Sequence, residues 1–61
     1  MNTSRITIRV YIQPSDGKYP FLAVVQENGM NNGVVRYCRD WDEVSIFAES
    51  LNAPVSDAVI R

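Results

Sequence analysis

An α+β fold is predicted for this sequence: a β-β-β-α chain forming a three-stranded antiparallel sheet with one helix packed on one face. Three observations predict it. Residues 5–13 alternate between apolar and polar, two further apolar runs are set off by glycine-bearing turn sequences, and residues 41–51 carry apolar side chains at helical spacing. A period of two puts alternate side chains on one sheet face, whereas recurrence at i, i+3, i+4 and i+7 lines one side of a helix.

In the first strand, Ile6, Ile8, Val10 and Ile12 point to one face, and Arg5, Thr7, Arg9 and Tyr11 to the other. Pro14, Ser15, Asp16 and Gly17 then reverse the chain, because proline presets one turn angle and glycine tolerates a positive φ. The second strand spans 18–27 and is nearly continuous in apolar character, as in a central strand. Pro20 has no N–H for a ladder bond and belongs at the start of that strand or on an open edge. Asn28-Gly29 and Asn32-Gly33 can each form a tight hairpin turn, which leaves the register of the third strand, 34–39, open. Val35 and Tyr37 share one side of it, and Val34, Arg36 and Cys38 the other. Either side can meet the core.

Asp40 is placed to cap a helix over 41–51, with Glu43 at the capping-box position. Val44, Phe47, Ala48 and Leu51 form its apolar stripe, and Trp41, one turn earlier, reads as core packing. Asn52 can take the left-handed terminating conformation, and Pro54 prevents continuation. The tail, with Val59 and Ile60, can add a short strand or dock on the core.

Sixty-one residues are enough for one domain, since a chain of this size buries only about 60% of the surface exposed when unfolded. With 46% hydrophobic and 21% charged residues, the composition is that of a folded protein and not of a disordered one. The net charge of -1 argues against a surface that neutralises a run of phosphates, so direct nucleic-acid binding is not expected. There is no histidine and one cysteine, so the usual nucleophile–base pairs, metal ligand sets and disulfides cannot be assembled within one chain. Asp40, Asp42 and Glu43 are adjacent carboxylates, but in the first turn of a helix they read as capping groups. Gly17, Gly29 and Gly33 are isolated turn residues, not a phosphate-cradling loop. No catalytic, cofactor-binding or metal-binding residue is therefore assigned, and no cofactor is expected. Cys38 reads as a small buried hydrophobe. No apolar stretch of membrane-spanning length occurs, and a cytoplasmic protein is expected.

What remains is binding. If the helix covers one sheet face, the other shows Arg5, Thr7, Arg9 and Tyr11, a mixture of cations and an aromatic ring suited to docking. The exposed helix side shows Asp42, Glu43 and Glu49, a secondary acidic surface. Unpaired strand edges also allow a homodimer.

At Glu27-Asn28-Gly29, Asn32-Gly33 and Arg39-Asp40-Trp41-Asp42, with the helix through Leu51, the chain resembles small phage-encoded anti-CRISPR proteins, over about residues 21–51. Members that inhibit type I systems carry a hairpin with Glu-Asn-Gly and Asn-Gly turns, then an Arg-Asp-aromatic-Asp step into a helix packed across an antiparallel sheet. The resemblance implies a non-enzymatic inhibitor that binds a CRISPR-Cas surveillance complex or nuclease in the host cytoplasm and blocks target DNA recognition. It also implies contact through the open sheet face and its tyrosines, here Tyr11 with Arg5 and Arg9, and then Arg36 or Tyr37. The first strand is basic where phosphate mimicry requires acids, so occlusion by shape and mixed charge fits better than imitation of DNA. The alternative is a small DNA-binding module, because three strands followed by a helix also resemble the arm-type binding domains of phage integrases, which lay a sheet in the major groove.

Overall fold

The computed structural model describes residues 5–15 and 17–60. It shows an α+β fold of one helix and a four-stranded mixed sheet. The elements are β1 (Ile6–Ile12), β2 (Phe21–Glu27), β3 (Met30–Cys38), α1 (Trp41–Ser50) and β4 (Val55–Ile60), and the sheet order is β3-β2-β1-β4. The first three strands form the predicted antiparallel meander. The tail, expected to add a short strand or to dock on the core, forms β4, which pairs parallel to β1; the sheet is therefore four-stranded and mixed where three antiparallel strands were expected, and β1 is interior instead of at an edge. A parallel partner needs a crossover, and α1 supplies it by carrying the chain from one edge of the sheet to the other.

The connection between β1 and β2 closes where the Gln13 N–H donates to the Pro20 carbonyl, at 2.6 Å. Pro20 lies just before β2, so the strand begins at Phe21 and not at Lys18. Asp16, in the predicted turn, lies outside the described residues. The two Asn-Gly pairs take different roles. Asn28 (φ 55°) and Gly29 (φ 84°) form the two-residue hairpin loop, with Glu27 opposite Met30. Gly33 (φ 90°) lies inside β3, where the register passes from Gln26 opposite Asn31 to Val24 opposite Val35. Residues 32–34 therefore bulge across from Val25 alone, and the Asn32 side chain accepts the Val34 N–H at 3.1 Å. The third strand thus starts at Met30, four residues before the position expected from its apolar run.

Asp40 is extended (φ -152°) and its carboxylate accepts the Glu43 N–H at 2.9 Å, a cap worth about 0.5–2 kcal/mol. Glu43 reaches back to accept the Arg39 N–H at 2.6 Å, one residue beyond the usual capping-box donor. At the other end, Asn52 takes φ 52° while the Asn52 and Ala53 N–H groups donate to Glu49 and Ala48 carbonyls, the paired bonds of a Schellman ending. Ala53 is thereby turned into the core, and the Pro54 carbonyl accepts the Ile8 N–H at 2.9 Å, which starts β4 alongside β1.

The core lies between sheet and helix. Ile8, Val10, Ala23, Cys38, Val44, Ala48 and Ala53 are buried together, with Ile6, Ile12, Phe21 and Phe47 packed against them. The isoleucine side of β1 faces the helix, as its alternation predicted. Two residues of the predicted stripe are less enclosed. Leu51, the C-cap residue, is partly solvent-exposed, and Trp41 tilts against Phe21 at 5.0 Å between ring centroids yet remains 45% exposed. Trp41 occupies the first helical position, with its ring against Phe21 and much of its surface open to solvent.

Candidate functional site

Side chains directly opposite on neighbouring strands share a face, so the register fixes what the helix-free side of the sheet presents. One row crosses it as Asp57, Arg9, Val24 and Val35. The next row crosses as Val59, Tyr11, Leu22 and Tyr37. A third, polar row joins Thr7, Gln26 and Asn31, and the Gln26 side-chain amide donates to Asn31 Oδ1 at 3.0 Å. The face therefore grades from a polar margin to an apolar and aromatic one. Tyr19 extends the aromatic margin, its ring 6.3 Å from that of Tyr37.

Arg9 stands in the middle row and is not a free cation. Its guanidinium pairs with Asp57 at 3.3 Å and lies over the Tyr11 ring at 5.5 Å. Its Nε is shut off from solvent without a hydrogen-bond partner among the described residues, so the charge is presented through the terminal nitrogens. The pair is partly exposed and adds at most about 1 kcal/mol to stability. Its larger effect is to cancel the positive charge at the centre of the face. Val24 below it is buried, whereas Val35 and Tyr37 are 52% and 56% exposed.

The expected site residues divide in position. Arg9, Tyr11 and Tyr37 come together on the helix-free face. Arg5 lies at the polar end of the sheet, beside Thr7, Gln26 and Asn28, with its N–H donated to Asn28 Oδ1. Arg36 points to the helix side, its guanidinium 5.5 Å from the Phe47 ring centre. Of the acidic group, Asp42 and Glu49 are exposed on α1, while Glu43 is half-buried and committed to Arg39, through the backbone N–H and an ion pair at 3.5 Å. Leu22, Val35 and Val59 belong to the face and were not singled out from the sequence. The signal that places them is the cross-strand register, which depends on the hairpin turn, the bulge and β4.

Cys38 is fully buried beneath α1. Burial pushes its thiol pKa up, and the nearby carboxylates of Glu43 and Asp40 push the same way against the Arg36 cation. The native thiol is therefore expected to react with a water-soluble disulfide reagent only as fast as the domain opens, and at once in denaturant. Rapid reaction of the folded protein at neutral pH would contradict the buried placement. The linked effect on stability has a definite sign. The folded state holds the thiol proton more tightly, so this contribution is complete below the unfolded cysteine pKa of about 8.5 and is lost as pH rises through the raised folded value.

Among the described residues, no group of three or more histidine, cysteine, aspartate or glutamate side chains is placed to hold a metal ion, and no helix is long and apolar enough to cross a membrane. No protein-family model, curated protein or solved structure matches the chain.

Proposed function

We propose that this chain is a non-enzymatic protein-binding module that docks on a partner protein through the helix-free face of its sheet. The observation that carries the reading is the row Val59, Tyr11, Leu22 and Tyr37, flanked by exposed Val35, on a face that α1 does not cover. Contiguous apolar surface rimmed by polar groups is a feature of interaction sites, and tyrosine is enriched there because it offers large contact area with a polar tip. The central cation is cancelled by Asp57, which favours contact by shape and apolar burial over neutralisation of phosphates.

The anti-CRISPR resemblance of residues 21–51 supplies the first partner to test, a CRISPR-Cas surveillance complex or nuclease whose recognition of target DNA the docked module blocks. In this reading the protein is phage-encoded and acts in the host cytoplasm, and its role is evasion of host defence.

The test is co-elution of the purified chain with a purified type I surveillance complex, run beside a titration with duplex DNA at low salt. The expected result is a complex with the protein assembly, weakened roughly tenfold or more by Tyr37→Ala on the exposed margin, and no salt-sensitive binding to the duplex. DNA binding with a steep salt slope, and none to the protein assembly, would replace this reading with the DNA-binding one.

A further inference from the structure

The groove between the outer edge of β3 and helix α1 is a second surface, distinct from the helix-free face. We propose that it takes an extended peptide segment of a protein partner, which adds to residues 35–38 as a fifth strand and sets an aspartate or glutamate side chain on the Arg36 guanidinium.

Four observations lead there. β3 ends the sheet order, so its outer row of N–H and C=O groups has no neighbouring strand among the described residues, and every residue from Met30 to Tyr37 is exposed. Such an edge is a template for strand addition. The bulge at residues 32–34 bends the first part of the edge away and leaves 35–38 as its regular portion, long enough for a short docked peptide. Along that portion runs a groove of about 440 Å³, with Arg36, Tyr37 and Arg39 on one side and Glu43, Ile46 and Phe47 on the other. This volume suits a bound segment, and Ile46, 66% exposed, provides an apolar wall that nothing in the described chain covers.

Charge then selects the occupant. Arg39 and Glu43 pair with each other, whereas Arg36, stacked on Phe47, has no carboxylate within ion-pair distance among the described residues. The groove is left with one uncompensated positive charge beside an apolar wall, and an acidic side chain flanked by apolar residues complements both. A second copy of β3 is a poorer occupant: two of these edges paired over 35–38 about Arg36 set the two guanidiniums opposite each other, and like charges across a ladder repel. The opposite edge is less suited. Beyond the extra residue Ser56 it runs regularly over 57–60, but its one charged residue there, Asp57, is already held by Arg9.

The groove and the helix-free face meet at Tyr19 and Tyr37, but Arg36 belongs to the groove alone and Tyr11 to the face alone, so the two readings can fail separately. The test selects peptides from a random library displayed on bacteriophage against the immobilised chain, then titrates a selected peptide, synthesised with an amidated C-terminus, into the isotopically labelled protein. Expected are sequences with one acid between apolar residues at alternate positions, and amide shifts at residues 35–38 and at Ile46. Arg36→Glu should weaken binding about tenfold or more, and replacing the peptide's acid with lysine should restore it, while Tyr11→Ala leaves affinity unchanged. Arg36→Gln, with a smaller loss and an unaltered thermal transition, separates the lost charge from misfolding. Selection of no peptide, sequences without an acid, a need for a free C-terminal carboxylate, shifts confined to the helix-free face, or full affinity in Arg36→Glu would each overturn the proposal.

Discussion

Ile8→Ala is expected to abolish most of the folded population in water at room temperature. Ile8 is fully buried, lies at the middle of the sheet and belongs to the cluster that includes Val10, Val44, Ala48 and Ala53. Truncating a buried isoleucine to alanine costs about 2–5 kcal/mol, the lost transfer energy plus a cavity that the surroundings fill only in part. A single core in a chain of this length supplies only about 3–5 kcal/mol. The two magnitudes are comparable, so one substitution removes nearly the whole margin. Urea titration followed by far-UV circular dichroism provides the measurement. The parent chain should show a folded baseline and a cooperative transition, and the variant should start within or beyond it. Ile6→Ala, at a half-buried position on the same face, should lose less. A variant at Ile8 with a midpoint close to the parent's would mean that the centre of the core lies elsewhere.

The second large effect is expected at the hairpin loop. Gly29 holds φ at 84°, and a β carbon built there meets no atom within 4 Å, so a side chain has space but the wrong backbone conformation. Gly29→Val should therefore destabilise by about 1–3 kcal/mol through strain alone. Asparagine accepts the left-handed region, as Asn28 and Asn52 do in this chain, and Gly29→Asn should lose well under half as much. Equal losses in the two variants, measured by the same urea titration, would mean that the loop does not hold the conformation described.

The elements specified by near neighbours were legible in the sequence. β1 follows from its alternation, α1 from the Asp40 cap and the Val44, Phe47 and Ala48 spacing, and its ending from Asn52. Each of these signals is contained within about two turns of chain. β4 was less legible, because its pairing joins residues 48 positions apart and no local pattern separates a parallel edge strand from an apolar tail. Asn32-Gly33 was ambiguous for another reason. The dipeptide that makes a hairpin turn also makes a bulge, and the choice was settled when Asn28-Gly29 placed Glu27 opposite Met30. The same limits apply to the candidate surface. Arg9 and Tyr11 share a face by a period of two that any reader of β1 can count. That Arg9 is neutralised, and that Val59 completes the tyrosine row, follows only once β4 is in place. Arg36 and Tyr37 were legible as lying on opposite sides of their strand, but which side meets the helix follows only from the register, which sends Tyr37 to the helix-free face and Arg36 to the groove.

The lateral position of β4 also governs how the molecule can assemble. β1 reaches its antiparallel neighbour through a short connection, but its other flank waits for a segment that follows the entire remainder of the fold. Any intermediate holding the meander without that segment leaves an isoleucine-bearing strand unsatisfied along one side, at the greatest loop-closure entropy the chain has to overcome. In a concentrated solution of such intermediates, the missing segment can come equally well from a neighbouring molecule, so exchange of this one strand between chains is the misassembly to which the topology is most open.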